Sequence, residues 1–429
     1  MKSFIIEGTR SPIGGEVTVS GNKNAVLPMI AASILTEEPV ILHNVPNIVD
    51  VTVMLKIAQD IGTAVNFSGN TLTMMTPSIV NPDISREHCT KVRTSLLFAG
   101  PLLNRVRQAS LWPPGGDVIG RRRLDGHFYG LISLGASVEY EEKPYRFKAN
   151  DRLKGRDLFL DEASVTATEH IMITAVLAEG ETIIRNAASE PHVCDLGDLL
   201  NKMGGKISGL GTNTITIEGV EKLHGAEHTI QGDHIEAASF LCLSAATGGE
   251  LTVNGVVTRN FWMTRRVFER FNVKLELYPN EGKIFLPGGQ DLEVLKDFGN
   301  AIPVVADDTW PQFPSDMMSC AIVMATQAKG TVMFFEKMFE SRIYFVDKLI
   351  AMGATAIVCD PHRAVISGPS LLRGAELPSP DIRSGMALLI AAMCAKGKST
   401  IHNVEVIERG YEHLEKKLIS LGAKIIAIK

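Results

Sequence analysis

Cysteine is scarce in this sequence of 429 residues, and its six cysteines stand singly rather than in pairs. Because no CxxC pair occurs, the sequence indicates neither a zinc site nor a disulfide framework, and buried thiols in a reducing compartment are the simpler interpretation. An excess of basic charge is also missing, since the net charge is −5 and the pI is about 6.2. This balance argues against a general nucleic-acid-binding protein, although it does not exclude a local basic pocket.

Long hydrophobic runs are absent as well. The apolar stretch 387–395 is far too short to span a bilayer, and the N-terminal segment MKSFIIEGTR lacks the apolar core of a secretory signal. We therefore expect a cytoplasmic protein with no membrane and no nucleic-acid partner. The length exceeds what one ordinary core accommodates and suits two large domains.

What the sequence does contain is an internal repeat in two interleaved series. In the first series a short apolar helix and a turn lead to a strand that ends in a polar residue, at Asn44, Asn186, Asn254, Glu336 and Asn403. A degenerate copy, RTSLLFAGPLLNRVRQASLW, falls between the first two. In the second series a helix ends at a turn before a strand, with turn positions Gly62, Gly135, Gly204, Asn272, Gly353 and Gly422. Glycine and asparagine tolerate the left-handed conformation that ends a helix, so the series predicts six structural units.

The first-series helices are apolar on all sides, which is typical of helices buried all round. The sequence therefore predicts an α/β protein of two domains with three repeated units each, in which helices lie inside and sheets outside. A polar stretch near 223–233 marks the boundary. We expect a first domain at 22–230 that carries a loop at 113–123, and a second domain formed by 1–21 plus 231–429.

Charged residues cluster where the first-series helices begin: Lys23, Arg93, Asp233, Asp316, Asp381 and Arg383. Helix N-termini favour anions, so carboxylates there can act simply as caps. Lysine and arginine are opposed by the helix dipole, and Lys23 and Arg93 therefore need a partner such as a bound anion. If the helices of each domain are parallel, these ends converge on one cleft, where cations could hold a polyanionic substrate and carboxylates could move protons.

The segment PPGGDVIGRRRLDGH, residues 113–127, is the second candidate. It joins glycines to the basic run Arg121, Arg122 and Arg123. A mobile phosphate-binding lid and a solvated surface turn are both compatible with it, and composition alone favours the turn. No P-loop or dinucleotide fingerprint occurs.

Taken together, these segments carry a resemblance. In order along the whole chain stand SGNKNAVLP, RTSLLFAGPLL, PPGGDVIG, FPSDM, FESR, DIR and ERGYEHLEKKL. With them the sequence resembles the enolpyruvyl transferases, in particular the branch that acts on UDP-N-acetylglucosamine in peptidoglycan synthesis. The LPGSKS and NAGTAMR signatures of the shikimate-pathway branch are absent. The resemblance implies two inside-out α/β domains and transfer of the enolpyruvyl group of phosphoenolpyruvate to the 3-hydroxyl of the nucleotide sugar, with no cofactor and no metal.

The resemblance also assigns roles by position. It implies catalytic roles for Asp117, Asp316 and Lys23. Contacts to phosphoenolpyruvate are implied for Lys23, Asn24, Arg122 and Arg409. Contacts to the acceptor are implied for Arg93, Arg122, Arg123, Leu124, Asp125, Ser164, Val165, Asp316 and Met338. Arg342, Asp381 and Arg383 match further active-site positions.

Several residues depart from the family pattern. Asp117 stands where many members have a cysteine; a carboxylic acid can also donate a proton, but it is a weaker nucleophile toward the epoxide fosfomycin, which alkylates that thiol. Departures near the acceptor are Arg123, Gly126, Glu162 and Thr166. They leave open the same transfer onto another nucleotide or nucleotide sugar in a specialised pathway. A catalytically silent binding protein and the shikimate-pathway reaction are further alternatives, which the retained Lys23, Asp316 and Arg409 and the missing signatures respectively oppose.

Overall fold

The helices follow the two predicted series. The computed structural model describes residues 2–8, 11–117, 119–120 and 122–428. Its α-helices are α1 (Lys23–Ala32), α2 (Val49–Ile61), α3 (Arg86–Cys89), α4 (Ala99–Val106), α5 (Asp125–Ser133), α6 (Val165–Ala175), α7 (Pro191–Lys202), α8 (His234–Thr247), α9 (Trp262–Glu269), α10 (Ser315–Gln327), α11 (Val346–Ala351), α12 (Ile382–Cys394), α13 (Val404–Ile407) and α14 (Leu414–Ser420). Short 3-10 helices cover Ser33–Leu35, Arg93–Phe98, Thr258–Phe261, Pro279–Glu281, Phe298–Asn300 and Arg342–Phe345.

The strands are shorter than most of the helices. They are β1 (Ser3–Gly8), β2 (Gly15–Thr18), β3 (Val40–His43), β4 (Ala64–Ser68), β5 (Thr71–Met75), β6 (Asp83–Ile84), β7 (Gln108–Leu111), β8 (Ser137–Glu139), β9 (Tyr145–Lys148), β10 (Asp157–Phe159), β11 (Glu181–Arg185), β12 (Lys206–Ser208), β13 (Thr214–Glu218), β14 (Ala226–Thr229), β15 (Leu251–Asn254), β16 (Glu276–Tyr278), β17 (Lys283–Leu286), β18 (Val304–Ala306), β19 (Gly330–Phe335), β20 (Thr355–Asp360), β21 (Arg363–Gly368), β22 (Glu376–Pro378), β23 (Gly397–His402) and β24 (Lys424–Ile428).

Within the described residues these strands form six four-stranded sheets with one shared arrangement. The strand that follows the first-series helix lies second in its sheet. It pairs in parallel with an edge strand and antiparallel with a third strand, which pairs antiparallel with the fourth, as in the order β14, β3, β5, β4. A repeated topology explains the repeated sequence, because each unit must bury the same helix against the same kind of sheet.

Two compact units contain these sheets. The C-terminal unit comprises Met1–Ser20, Asp117–Arg121 and Gly232–Lys429, and the N-terminal unit comprises Gly21–Gly116 and Arg122–Gln231. In the C-terminal unit β1 lies between β23 and β24, and β2 pairs with β15. The loop 113–123 is divided: residues 117–121 group with the C-terminal unit, whereas the sequence prediction placed the whole loop in the domain 22–230. Val118 and Arg121 of this loop lie outside the described residues.

Each unit has its own hydrophobic core built around the first-series helices. In the C-terminal unit α8, α10 and α12 pack against one another, and every residue of α12 is buried. The strands alternate, as in β13, where Ile215 and Ile217 are buried and Glu218 is exposed. The predicted arrangement of helices inside and sheets outside is therefore confirmed. None of the helices in the described part of the chain is both long and apolar enough to cross a membrane.

The predicted turn positions all have the left-handed backbone that the sequence suggested. The φ angles are 121° at Gly62, 102° at Gly135, 97° at Gly204, 57° at Asn272, 101° at Gly353 and 100° at Gly422. At the ends of first-series strands, Asn44, Asn186 and Asn403 also have positive φ. The amides of Asn44 and Asn186 donate to the carbonyls of Ile230 and Leu160, each just beyond the parallel edge strand. Asparagine is suited to this position because it tolerates positive φ and hydrogen-bonds locally.

The turn at Gly422 gives a test of this backbone requirement. A Cβ there would meet no atom within 4 Å, so the cost of Gly422→Ala comes from backbone strain alone. We expect this substitution to lower the free energy of unfolding by about 1–2 kcal/mol, measured by urea denaturation. Asn272→Gly, at the equivalent turn of the same unit, is the control and should change it by less than about 1 kcal/mol. Equal stability of Gly422→Ala and the parent protein would contradict the strain.

Candidate active site

Lys23 and Asp50 form a buried ion pair at the start of α1 in the N-terminal unit. The Lys23 Nζ lies 3.0 Å from Asp50 Oδ2, and the two side chains are 11% and 4% exposed. Asn22 caps the helix by accepting from the backbone N–H of Asn24 at 2.8 Å. The sequence required a partner for Lys23 and suggested a bound anion; the structure provides a carboxylate from α2. Asp50 was missed, although its place in the first turn of α2 is typical of an acidic residue at a helix N-terminus.

Arg93 holds the end of the loop 113–123. It opens the 3-10 helix Arg93–Phe98, and its Nη2 donates to the backbone oxygens of Arg122 at 3.1 Å and Arg123 at 2.9 Å. Burial, and next the charge of Arg122, lower the pKa of Arg93 to about 10, so the guanidinium remains protonated at neutral pH. At Gly116, where φ is +115°, a Cβ would lie 3.3 Å from Arg93 Cβ and 3.6 Å from Arg122 Nη1. Glycine thus lets the lid backbone pass close to both arginines.

The predicted acceptor-binding residues of the N-terminal unit surround the starts of α5 and α6. Arg123 and Asp125 form a bidentate, exposed pair at 2.8 and 2.7 Å, next to the half-buried Leu124. Ser164 caps α6 by accepting from the N–H of Ala167, and Val165 is the first residue of that helix. The structure therefore supports the capping role of Ser164 and places Arg123 at the surface.

A buried pair of imidazoles connects α5 to α6. His127 Nδ1 lies 3.0 Å from His170 Nδ1, and His127 Nε2 lies 3.1 Å from the hydroxyl of Thr166. Burial is the main cause that lowers the pKa of both rings, to about 3 for His170. Both imidazoles are therefore neutral at physiological pH, and Thr166 is part of their hydrogen-bonded group.

Asp117 and Arg409 meet within the C-terminal unit. The Asp117 Oδ1 accepts from Arg409 Nη1 at 2.8 Å, and each side chain is 20% exposed. Further along the same loop, the carbonyl oxygen of Ile119 accepts from the N–H of Ser341 at 3.3 Å. The loop 113–123 is thus attached to this unit at two places, through the side chain of Asp117 and through the backbone of Ile119.

Asp316 lies between two buried arginines. Its Oδ1 accepts from Arg342 Nη1 at 2.9 Å, and its Oδ2 accepts from Arg383 Nε at 3.1 Å and lies 3.0 Å from Arg383 Nη2. The arginine side chains are 4% and 6% exposed, whereas that of Asp316 is 28% exposed. Burial opposes the charge of both arginines, yet Asp316 raises the pKa of each above the ordinary value. The group is a partly accessible carboxylate fixed by two permanent cations.

The simple capping interpretation holds for Asp381 but not for Asp316. Asp381 accepts from the N–H groups of Arg383 and Ser384 and caps α12. At α10 the cap position is Pro314, and Asp316 lies in the first turn with its carboxylate on the arginines. Met338, the remaining predicted contact, is 36% exposed on the segment that leads to Arg342.

A polar cavity of about 500 Å³ lies elsewhere in the N-terminal unit, lined by Asp195, Asp198, Asn201, Lys202, His228, Thr229 and Gln231. It contains none of the predicted site residues, so the candidate site is defined by the charged groups at the helix starts. Among the residues that the structure describes, no group of three or more His, Cys, Asp and Glu side chains could hold a metal ion.

Comparison with known proteins shows the family of the chain. The profile of a family described as EPSP synthase (3-phosphoshikimate 1-carboxyvinyltransferase) matches residues 8–418. A UDP-N-acetylglucosamine 1-carboxyvinyltransferase of Borreliella burgdorferi is 51% identical over 429 residues, 100% of both chains. The protein of the same name from Treponema denticola is 52% identical over 427 residues, 99% of both chains.

Solved structures share the fold at lower identity. The enolpyruvyl transferase NikO from Streptomyces tendae gives a TM-score of 0.86 at 22% identity, over 99% of this chain and 98% of that one. An EPSP synthase from Acinetobacter baumannii gives 0.77 at 18% identity, over 100% of both chains. The predicted fold class is thereby confirmed, and the chain belongs to the enolpyruvyl transferase family that includes the UDP-N-acetylglucosamine 1-carboxyvinyltransferases and the EPSP synthases.

Proposed function

We propose that this enzyme transfers the enolpyruvyl group of phosphoenolpyruvate to the 3-hydroxyl of UDP-N-acetylglucosamine and releases phosphate, the first committed step of peptidoglycan synthesis. The observation that carries the proposal is the identity of about half of all positions, over the full length, with proteins named for this reaction. The carboxylate of Asp316, fixed by two arginines, and the Asp117–Arg409 pair supply the acid–base and anion-binding groups that such a transfer needs.

Phosphoenolpyruvate is a multiply charged anion, so its binding groups must be cationic and held in place. We assign Lys23, Asn24, Arg122 and Arg409 to it. The contact with Asp50 holds the Lys23 ammonium in one position, although the lysine side chain is flexible. Arg409 is held by Asp117, a carboxylate that the anionic substrate can replace as its partner.

The carboxylates account for the proton transfers. Asp316 takes the proton of the acceptor hydroxyl, whose oxygen forms a bond to C2 of phosphoenolpyruvate. Asp117, which is protonated once the substrate anion has replaced it on Arg409, gives a proton to C3, which completes a tetrahedral adduct. Asp117 then takes back one C3 proton as the bond between C2 and the phosphate oxygen breaks, and the phosphate leaves with the proton that Asp316 had taken, which restores the double bond. The sequence of steps balances in protons and electrons without a redox partner.

The remaining residues are assigned to the acceptor and to its surroundings. Arg93, Arg122, Arg123, Leu124, Asp125, Ser164, Val165 and Met338 would contact the nucleotide sugar. Arg342, Asp381 and Arg383 would support the reacting groups. Arg342 and Arg383 do so through Asp316, since both donate to it, and Asp381 does so by capping the helix that carries Arg383.

Transfer to a different nucleotide or nucleotide sugar is the second candidate. It is favoured by Glu162, an exposed carboxylate where many members have a lysine near the diphosphate. Its charge acts on Arg93 and Arg123, two of the cations assigned to the acceptor. An anion in that place reduces the net positive charge available to a diphosphate.

Phosphate release from phosphoenolpyruvate with a panel of nucleotides and nucleotide sugars distinguishes the two candidates. We expect UDP-N-acetylglucosamine to give the highest kcat/KM, with the carboxyvinyl product identified by mass spectrometry. A higher kcat/KM with another nucleotide would establish the second candidate. Absence of phosphate release with every member of the panel would refute enolpyruvyl transfer itself.

Asp316→Asn tests the proposed base. The amide retains the shape of the carboxylate but cannot take a proton, so kcat should fall by roughly 10²–10⁴-fold. Because Arg342 and Arg383 then lose their anion, thermal stability must be measured alongside kcat. Asp297→Asn is the matched control, since Asp297 faces Arg270 at 3.5 Å on the surface of the same unit, and it should leave kcat unchanged. A kcat of Asp316→Asn near that of the parent would remove Asp316 from the mechanism.

Asp117 is tested by two substitutions with opposite expectations. Asp117→Ala has no proton to donate, so kcat should fall by roughly 10²–10⁴-fold. The KM for phosphoenolpyruvate should not rise, because Arg409 no longer has that carboxylate beside it. Asp117→Cys should retain turnover, since a thiol can also supply a proton, and should gain alkylation by fosfomycin. Parental kcat in Asp117→Ala, or a stoichiometric fosfomycin adduct on the parent lid by mass spectrometry, would contradict the assignment.

A further inference from the structure

Two carboxyl groups outside the proposed chemistry are buried together in the C-terminal unit. Asp307 follows β18 and Glu336 follows β19, and both are 0% exposed. Because β18 and β19 pair in parallel, these residues leave the sheet at the same edge. The backbone N–H of Asp307 donates to the carbonyl oxygen of Phe335 at 3.2 Å, next to Glu336. The sheet therefore brings the two carboxyl groups together out of water.

The donors around the pair are too few for two carboxylates. Glu336 accepts from the Ser315 hydroxyl at 2.7 and 2.9 Å and from the N–H of Phe339 at 3.1 Å. Asp307 Oδ1 accepts from the N–H of Lys337, but among the described residues no donor reaches its buried Oδ2. Two adjacent buried carboxylates cannot both remain ionised. One shared proton removes the repulsion and gives Asp307 Oδ2 its missing partner.

The charged groups nearby do not neutralise the pair. The charge of Arg342 acts on Glu336, but its Nη1 is engaged by Asp316. The Lys337 ammonium donates to Asp308 on the surface, at 3.0 Å. The His362 ring lies 2.7 Å from the backbone oxygen of Glu336, so its contact is with the main chain and not with the carboxyl group. Burial, and next the hydrogen bond and the charge of Asp307, raise the pKa of Glu336 to about 9, although Arg342 opposes this shift. Glu336 is therefore protonated at neutral pH.

The same hydrogen bonds reach the candidate active site. Ser315, which donates to Glu336, is followed directly by Asp316. Phe339, whose N–H donates to Glu336, has its ring 5.2 Å from the Arg342 guanidinium. Arg342 also has a buried Nε without a hydrogen-bond partner. An ionised Glu336 would therefore compete with Asp316 for Arg342. Glu336 is well placed to do so, because it already accepts hydrogen bonds from Ser315, next to Asp316, and from Phe339, next to the Arg342 side chain.

We propose that Asp307 and Glu336 are positioning residues that share one proton, and that this proton keeps Arg342 on Asp316. When the pair loses this proton at high pH, the negative charge of Glu336 attracts Arg342 away from Asp316, and the proposed base is displaced. The catalytic part of this inference rests on the proposed function, whereas the shared proton does not.

The shared proton is tested without any substrate. The isosteric Glu336→Gln retains an oxygen for Ser315 and Phe339 and offers its amide to Asp307, but it does not titrate. At pH 7.5 the parent should show an infrared carbonyl band of a protonated carboxylic acid that Glu336→Gln lacks. Asp308→Asn, a neighbouring surface carboxylate, is the control and should keep the band. A parent-minus-variant spectrum without such a band would overturn the shared proton.

Stability supplies a second substrate-free measurement. The folded-state pKa of Glu336 lies above its ordinary value of 4.5, so its contribution is fully present below that value and is lost as pH rises toward about 9. The Tm of the parent should therefore fall relative to that of Glu336→Gln between pH 5 and pH 9, a comparison in which other titrating groups cancel. Parallel Tm profiles for the two proteins would contradict the inference.

The positioning role is tested by the pH profile of kcat. With a group that titrates near pH 9, the parent should be roughly fourfold slower at pH 9.5 than at pH 7.5, whereas Glu336→Gln should match it at pH 7.5 and lose this decline. Glu336→Ala removes the hydrogen bonds and should lower kcat roughly 10- to 100-fold. Identical profiles of the parent and Glu336→Gln would overturn the positioning role. If the parent releases no phosphate at all while the infrared band is present, the proposed function fails and the shared proton stands.

Discussion

The burial of the first-series helices on all sides is the constraint on which the rest of the structure depends. In α12 every residue from Ile382 to Cys394 is buried, so the middle of this helix cannot carry a group that needs water or a ligand. Chemistry that involves a ligand is thereby restricted to the helix ends. The N-terminal ends already offer unpaired N–H groups and a favourable dipole for anions. A family whose substrate is a small polyanion can thus place its site at the starts of these helices while the cores stay apolar.

Cations at the same helix starts create a second constraint. The helix dipole repels them, and burial removes the water that would stabilise their charge. The structure meets it with fixed carboxylates, Asp50 for Lys23 and Asp316 for Arg383. Two cations away from these starts are held in the same way, Arg342 by Asp316 and Arg409 by Asp117. A cation held in this way needs little rearrangement when a substrate anion arrives, which is the condition for electrostatic preorganisation. The same pairing explains why burial does not lower the pKa of Arg342 and Arg383, although it does lower that of Arg93, whose closest contacts are backbone oxygens and another arginine.

The repeat made most of the fold predictable, because helix-ending turns demand residue types that are visible in a single sequence. The positive φ of Asn272 among five glycines illustrates this, since only those two residue types adopt it readily. The pairing of charges was not predictable in the same way. Asp50 and Asp307 are brought to Lys23 and Glu336 by packing across 27 and 29 positions, a separation that no local pattern records. Glu336 occupies the strand-end position that is asparagine in four other repeats. It differs because its side chain is buried and bonded to the next helix start.

The departures from the family pattern are largely explained by their neighbours within the N-terminal unit. At Gly126 a Cβ would approach the Cβ of Ala167 to 3.2 Å, so glycine accompanies a close contact between α5 and α6. The Thr166 hydroxyl shares a hydrogen bond with the neutral His127, which is in turn hydrogen-bonded to His170. The Arg123 guanidinium donates two hydrogen bonds to the carboxylate of Asp125. Gly126 and Thr166 thus have structural causes that are independent of the acceptor, whereas Arg123 has an exposed ion-pair partner. Of the four departures, Glu162 is the one that adds negative charge near a ligand and has no such explanation in its neighbours. The identity of the acceptor therefore depends on how this exposed carboxylate affects Arg93 and Arg123.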